Sequence, residues 1–188
     1  MRLPCLLASI LLALACVSQT PCVAQSDGAP PAYRGPDVAA QRAAMDRLAP
    51  LVGRWQGEAN VQGGMVVHQT EQVERELDGL LLSVRGVGHA TAERTDAPVF
   101  QAAAIISFND RSGGYEVRSY THEGHVATAA GEVLPDGRFR WSFAAGGPVQ
   151  MRFTIAVDGD MWRETGEISY DSGTTWRRTI DLALRRAS

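Results

Sequence analysis

From Gly53 onward, hydrophobic and polar residues alternate along most of the chain, with the period of two that is typical of strands with one buried face. One segment places Phe139, Trp141 and Phe143 on the same face. In the next segment, apolar side chains stand at every second position, at Val149, Met151, Phe153, Ile155 and Val157. The last segment repeats the pattern at Trp176, Arg178, Ile180, Leu182 and Leu184. The pattern predicts a protein built mainly from strands.

Turn sequences rich in Gly, Asn and Asp separate these segments, because such residues adopt tight-turn conformations at little cost. They divide the chain into about ten strands, at 54–61, 65–77, 80–89, 99–108, 114–121, 125–133, 138–144, 149–157, 161–169 and 175–185. Short turns join only antiparallel neighbours, so we predict an all-β, up-and-down fold. Closing such a meander into a barrel removes its two edges, and a two-sheet sandwich is the alternative.

A helical period covers only residues 37–48. Asp37 is a suitable N-cap, since a short carboxylate accepts the free amide hydrogens of the first turn. Alanines, Met45 and Leu48 supply helix propensity and an apolar stripe, and Pro50 ends the helix. We expect this single short helix to close one end of the barrel.

Residues 1–24 have the features of a bacterial export signal: Arg2, an uncharged run from Leu3 to Val17, and small residues before a cleavage site after Ala24. The run is shorter than the ~20 residues of a spanning helix, so we predict no transmembrane segment in the mature chain. A leader (25–36) and one domain (37–188) would follow, in the periplasm or outside the cell. The alternative is a lipoprotein tethered to a membrane through Cys16.

The amino-acid composition excludes several kinds of catalytic and binding chemistry. All three cysteines lie within residues 1–24, so the processed chain would carry no disulfide and no thiolate. The 18 basic residues are all arginine, which excludes a lysine Schiff base or a phosphate-loop lysine. A formal net charge of -3 does not indicate a basic surface for binding nucleic acid.

The segment LAPLVGRWQG, at residues 48–57, resembles the start of lipocalin-like barrels, in which a short helix leads into Gly-x-Trp on the first strand. Gly53 and Trp55 match that motif. The resemblance implies that Trp55 plugs the barrel base and that an arginine of the last strand, Arg178 or Arg177, covers it by a cation–π contact. Independently of the resemblance, a barrel of about ten strands can leave room inside for a small ligand.

The chain differs from classical lipocalins in two features. It lacks their Thr-Asp-Tyr-like turn, and after removal of residues 1–24 it would contain no cysteine to form a disulfide. The strand count is closer to the ten-stranded fatty-acid-binding group and to exported bacterial families of unknown function. A related haem-binding family has its proximal histidine near the C-terminus. No histidine here follows His125, so we predict no cofactor of that kind.

A second motif, SYDSGTTW at residues 169–176, resembles the Asp-box of sialidases. The resemblance implies that Asp171 accepts backbone amide hydrogens in a hairpin turn, that Gly173 supplies the special dihedral, and that Trp176 packs beneath the turn. One copy in a chain of this size predicts a stable hairpin and not a sialidase propeller.

Two groups of polar residues are candidates for chemistry. His122, Glu123 and His125 have donor atoms for a metal, but a metal site needs three or four convergent ligands, and we expect an exposed polar turn. We therefore predict no metal. Glu71, Glu74 and Glu76 resemble paired carboxylates but fit a solvated strand.

The candidate ligand-binding residues fall into a polar and an apolar group. Arg118, Tyr120 and His122 share one side of a strand and would hold a polar head group if that side faces the lumen. The alternative is a solvent-facing side. Trp141, Met151 and Met161, with Phe139 and Phe153, would line an apolar cavity, and an ordinary core is their alternative.

The leading hypothesis is an exported barrel that binds a small apolar or amphiphilic molecule. The sequence contains no Gly-x-Ser-x-Gly elbow, His-Glu-x-x-His motif or phosphate loop, so no catalytic residue is assigned. The alternatives are a small-molecule enzyme with a polar site in the lumen, and a tethered lipoprotein that docks a partner.

Overall fold

A computed structural model describes residues 34–187 of the chain. The predicted export signal, the processing positions Cys16 and Ala24, and most of the leader lie outside these residues. The predicted helix is present as α1 (Val38–Asp46), and the Asp37 carboxylate caps it by accepting the amide hydrogen of Ala40 at 3.0 Å. A short 3₁₀ turn, Ala49–Leu51, then leads into the first strand.

Ten strands follow, in the order β1 (Gly53–Val61), β2 (Met65–Glu76), β3 (Leu81–His89), β4 (Phe100–Asn109), β5 (Gly114–Thr121), β6 (Val126–Val133), β7 (Phe139–Gly146), β8 (Val149–Asp158), β9 (Met161–Ser169) and β10 (Arg177–Arg186). Each strand pairs antiparallel with the next, and β10 pairs with β1, which closes the barrel. The predicted up-and-down barrel is confirmed, and the sandwich alternative is wrong.

Helix α1 and the 3₁₀ turn lie at the end of the barrel where β1 begins, which we call the closed end. Met45, Leu48 and Leu51 are buried there, and the hydroxyl of Tyr115 donates a hydrogen bond to the carbonyl oxygen of Ala44 at 2.6 Å. The turns after β1, β3, β5, β7 and β9 lie at the opposite end, which we call the open end.

The most densely buried layer of the barrel adjoins the closed end. Its floor consists of Trp55 and Trp162, whose rings meet edge to face with centroids 5.5 Å apart. Around them lie further buried apolar side chains, at Val73, Leu82, Ile106, Tyr115, Phe139, Ile155 and Leu184. Burial of this layer closes one end of the lumen and supplies the main hydrophobic stabilisation.

The arginine that covers Trp55 is Arg186, so the prediction of Arg178 or Arg177 is wrong. The guanidinium carbon of Arg186 lies 4.1 Å from the Trp55 ring centre. A bulge at Thr179 breaks the alternation of β10, since Arg178 pairs with Glu167 but Ile180 pairs with Gly166. Arg178 is therefore exposed on the outer face, where it forms an ion pair with Asp181.

Gly53 of the Gly-x-Trp motif makes room for the same arginine. Its φ is 132°, and a Cβ added there would lie 2.5 Å from Nη1 of Arg186. That nitrogen donates a hydrogen bond to the carbonyl oxygen of Val52 at 2.8 Å. The φ of 132° favours glycine at position 53, and the absence of a side chain leaves space for the Arg186 guanidinium.

The turn at Asp171 has the geometry expected from its sequence. The Asp171 carboxylate accepts hydrogen bonds from the backbone amide of Thr175 at 2.8 Å, from the Thr175 hydroxyl at 2.7 Å and from the Ser169 hydroxyl at 2.8 Å. These bonds lower the pKa of Asp171 to about 2. Gly173 has a φ of 90°, and the indole of Trp176 donates to its carbonyl oxygen at 3.0 Å. The motif builds a hairpin turn at the open end.

Candidate functional site

The interior of the barrel above the Trp55–Trp162 floor, which we call the lumen, is lined on one side by small residues. The inward-facing residues of β3 to β6 here are Gly86, Gly88, Ala102, Ala104, Ser119, Thr121, Ala127 and Ala129. Ala102, Ala104 and Ala127 keep part of their surface accessible although they point inward. A solid core would bury them completely, so solvent reaches this part of the lumen.

An aromatic wall faces the lumen from β7 and β8. Trp141 stacks on Phe153 with ring centroids 4.3 Å apart and an interplanar angle of 15°, and on Phe143 at 5.9 Å and 18°. Met151 lies opposite Phe143 in the strand register. All four side chains are only half-buried. Of the predicted apolar cavity residues, Trp141 and Met151 therefore point into the lumen.

Glu71 places a carboxyl group in the lumen just above the floor. In the strand register it lies between Trp55 of β1 and Gly86 of β3. The buried amide of Gln69 donates a hydrogen bond to its Oε1 at 2.8 Å. Burial raises the pKa of Glu71 from its ordinary value of 4.5 to about 7, against the lowering effect of the Gln69 bond.

Glycine at position 86 makes room for this carboxyl group. A Cβ added at Gly86 would lie 2.6 Å from Oε1 of Glu71 and 3.0 Å from Nε2 of Gln69. Because real Cβ atoms do not approach polar atoms so closely, a side chain at position 86 would displace the Glu71 carboxyl group. The space that β3 leaves open is thus occupied by a polar group of β2.

Glu164 places a second carboxyl group in the lumen. Its register neighbours are Ile155 of β8 and Leu182 of β10. The indole nitrogen of Trp162, which forms part of the floor, donates to its Oε2 at 3.3 Å. Burial and, to a smaller extent, the negative charge of Glu71 raise the pKa of Glu164 from its ordinary value of 4.5 to about 8, against the lowering effect of the Trp162 bond.

Sequence reasoning missed both carboxyl groups as functional candidates. Glu71 was grouped with Glu74 and Glu76, which are exposed on the outer face of β2. Residue 71 has the same parity as the buried Val67 and Val73, and this was the signal that could have separated it from its neighbours. Similarly, Glu164 follows the buried Trp162 by two positions and shares its face.

The polar ligand group predicted on β5 does not face the lumen. Tyr115 and Val117 are the buried residues of that strand, so Arg118 and Tyr120 lie on the outer face and are exposed. His122 lies in the turn after β5, where its Nδ1 accepts the amide hydrogen of Gln101 at 3.1 Å. The alternative of a solvent-facing side is the one that the structure supports.

Met161 also lies outside the lumen, since its neighbour Trp162 is the inward-facing residue. In the strand register Met161 is opposite Asp158 and Arg185. Its prediction as a cavity residue is therefore wrong. The apolar lining of the lumen comes from β7 and β8.

The His122–His125 turn forms an ordinary polar surface. His125 lies 3.6 Å from the exposed Glu123 carboxylate, and His122 is bound to the Gln101 backbone. Within residues 34–187, no three His, Cys, Asp or Glu side chains are grouped closely enough to hold a metal ion.

Two grooves lie mainly on the outer wall of the barrel. One, of about 520 Å³, is lined by Arg54, Gln56, Gln72 and Arg85 among others. The second, of about 430 Å³, includes Gln72, Ile105 and Tyr120. Both grooves are exposed on one side, in contrast to the lumen, which the barrel wall surrounds.

No protein-family model matches the chain, and no curated protein matches it. The likeness to lipocalin-like proteins therefore rests on the closed ten-stranded barrel and on the Trp55–Arg186 contact at its base. Among the residues that the structure describes, no helix has the length and apolar character needed to cross a membrane.

Proposed function

We propose that this protein binds a small amphiphilic molecule, with a flat apolar part, in the lumen of the barrel. The observation that carries the proposal is the aromatic wall, because Trp141, Phe143 and Phe153 face inward yet are not fully buried. Aromatic side chains left accessible inside a protein favour occupation by an apolar ligand. A flat ligand that stacks on Trp141 would remove this surface from water.

The polar groups beneath the aromatic wall support an amphiphilic ligand over a purely apolar one. Glu71 and Glu164 lie one layer above the floor and offer hydrogen-bond partners to a polar head group. A ligand with its apolar part toward the open end and its head toward the floor would satisfy both parts of the lumen.

We further propose that the protein is exported and meets its ligand in the periplasm. The support is the sequence of residues 1–24 alone. Intact-mass measurement of the mature protein tests this. A chain that begins at Gln25 is the expected result, and a lipid-modified Cys16 would instead favour the tethered lipoprotein.

A second candidate function is acid–base catalysis on a small molecule. Two carboxyl groups whose pKa values are about 7 and about 8 are both present in the same lumen, and such groups exchange protons readily near neutral pH. If the protein is an enzyme, Glu71→Gln and Glu164→Gln would retain the bound molecule but leave it unchanged. If the protein is a carrier, the molecule released from the wild type and from every variant would be chemically unchanged.

Native mass spectrometry of protein purified from its own compartment tests the proposed function. We expect the wild-type protein to carry one small molecule that is released on denaturation. Trp141→Ala should lose this adduct, whereas Tyr120→Ala, which removes an aromatic ring from the outer face, should retain it. Loss of the adduct in Tyr120→Ala and its retention in Trp141→Ala would contradict the proposal.

A further inference from the structure

Two histidines lie side by side on the outer wall of the barrel, near its open end. His68 of β2 and His89 of β3 are directly opposite each other in the strand register. Side chains at such positions have Cβ atoms about 5 Å apart, so the two rings are within reach of one another. Both are largely buried, since only 18% of the His68 side chain and 13% of the His89 side chain are exposed. We call these two residues the histidine pair.

The loop after β3 determines which nitrogen of His89 carries the hydrogen. Nδ1 of His89 lies 3.0 Å from the backbone carbonyl oxygen of Asp96. A carbonyl oxygen only accepts hydrogen bonds, so Nδ1 is the donor, and Nε2 of the neutral ring keeps its lone pair. Asp96 is itself held in place, because its carboxylate accepts hydrogen bonds from the amide of Ala90 at 3.0 Å and from the hydroxyl of Thr91 at 2.7 Å. Nε2 of His89 is therefore the nitrogen that can bind a metal ion.

A carboxylate on the other side of the pair orients His68 in a similar way. Glu58 of β1 lies opposite His68 in the register, and its Oε1 is 3.6 Å from Nδ1 of His68. This negative charge favours a hydrogen on Nδ1 and a lone pair on Nε2. Since Glu58 is on β1 and Asp96 lies in the loop that leads to β4, the two Nδ1 atoms point away from each other, and the ring edges with Nε2 lie on the facing sides. Among the described residues, neither Nε2 atom has a hydrogen-bond partner.

We infer that the histidine pair binds one divalent transition-metal ion through its two Nε2 atoms, with Cu²⁺ preferred over Zn²⁺. Imidazole nitrogen is a ligand that both ions favour, and sites of this kind bind Cu²⁺ more tightly than Zn²⁺. Metal-binding histidines usually donate their other ring N–H to a carboxylate or a backbone carbonyl, and both members of the pair have such an acceptor. The inference does not depend on the ligand proposed for the lumen.

The electrostatic surroundings of the histidine pair suit a doubly charged cation. The carboxylates of Glu58 and Asp96 flank it. The register rows on either side carry no positive charge on β1, β2 and β3, where the outward-facing residues are Gln56, Thr70, Val87, Asn60 and Val66. Among residues 34–187, no third His, Cys, Asp or Glu side chain is placed to complete the ligand set, so water would occupy the other coordination positions. The bound ion is therefore exchangeable, and it links β2 to β3 at the open end.

Isothermal titration calorimetry of the untagged mature protein with copper(II), zinc and magnesium sulfate tests the inference. We expect one Cu²⁺ per chain, bound more tightly than Zn²⁺, and no binding of Mg²⁺, which prefers oxygen ligands. His68→Gln and His89→Gln should each weaken Zn²⁺ binding by roughly tenfold or more. The double variant His122→Gln and His125→Gln is the matched control, because it removes the other two histidines of the chain, and it should retain the wild-type affinity.

Electron spin-echo envelope modulation of the Cu²⁺ complex counts the coordinated imidazoles in the wild type, so it does not rely on a variant that folds. We expect two imidazoles in the wild type and one in His89→Gln. Fewer than two in the wild type would overturn the inference. Absence of Cu²⁺ and Zn²⁺ binding would also overturn it, as would an affinity that survives both substitutions in the histidine pair or is lost in the His122 and His125 double variant.

Discussion

The guanidinium of Arg186 lies over the indole of Trp55, with its central carbon 4.1 Å from the ring centre. The same guanidinium donates to the carbonyl oxygens of Val52 at 2.8 Å and Pro50 at 3.4 Å. It therefore ties the last strand to the segment that precedes the first strand. This contact closes the barrel at the end that carries the helix.

We expect Arg186→Ala to lower the free energy of unfolding by about 1–2 kcal/mol, because it removes a cation–π contact and the hydrogen bonds to two carbonyl groups. Arg178→Ala is the matched control, since Arg178 is an exposed arginine of the same strand, and it should change stability by less than about 0.5 kcal/mol. Urea unfolding measures both. Equal effects of the two substitutions would show that the Trp55 contact adds nothing beyond an ordinary surface arginine.

The two carboxyl groups of the lumen predict an unusual pH dependence of stability. Their pKa values are about 7 and about 8 in the folded protein, against an ordinary 4.5. Between pH 4.5 and pH 8, the folded state thus binds more protons than the unfolded state. The contribution of the two carboxyl groups to stability is complete below pH 4.5 and is lost as pH rises through 7 and 8.

We therefore expect the free energy of unfolding to fall between pH 5 and pH 8, with Glu71 alone contributing on the order of 3 kcal/mol. The double variant Glu71→Gln and Glu164→Gln should have a flatter profile and exceed the wild type in stability at pH 8. Glu74→Gln should follow the wild type. Urea unfolding at several pH values checks this, and parallel profiles for wild type and double variant would contradict it.

Gly86→Ala should destabilise the protein by about 1–3 kcal/mol, although alanine ordinarily favours a strand over glycine. The reason is the predicted approach of the new Cβ to within 2.6 Å of the Glu71 carboxyl oxygen. Gly114→Ala is the control, because a Cβ there meets no atom nearer than 3.9 Å. Thermal melting of both variants measures the difference. A Gly86→Ala protein as stable as Gly114→Ala would argue that the Glu71 side chain lies elsewhere.

Asp171→Ala should lower the melting temperature and increase backbone amide exchange in the turn between β9 and β10. The substitution leaves the Thr175 amide and two hydroxyl groups without their acceptor. Asp158→Ala, at the exposed C-terminal end of β8, is the control. Hydrogen exchange resolved by peptide locates the effect, and protection of the 169–176 turn that is unchanged by Asp171→Ala would count against its role.

Much of the fold follows from alternation and turn residues, because a half-buried strand must place every second side chain inside. The helix, the ten strands and the Asp171 hairpin are examples. The alternation pattern placed Arg178 on the wrong face of β10. The bulged residue Thr179 shifts every residue of the strand before it to the opposite face. The strand pattern alone does not reveal such a bulge.

The site was harder to predict than the fold. On β5, aromatic and polar residues occur on both faces, and only the closed barrel shows that Val117 faces inward while Arg118 faces solvent. Glu71 and Glu164 come from distant parts of the chain, and only the closed barrel shows that both side chains point inward. Their placement therefore depends on tertiary structure that no local pattern contains.

The central claim is that the lumen binds a small molecule against the aromatic wall. The most direct test is a fluorescence titration with the uncharged probe N-phenyl-1-naphthylamine, using wild type, Trp141→Ala and Tyr120→Ala. We predict saturable fluorescence enhancement for wild type and Tyr120→Ala, and an affinity weakened roughly tenfold in Trp141→Ala. Enhancement that is absent in wild type, or that depends on Tyr120 and not on Trp141, would contradict the claim.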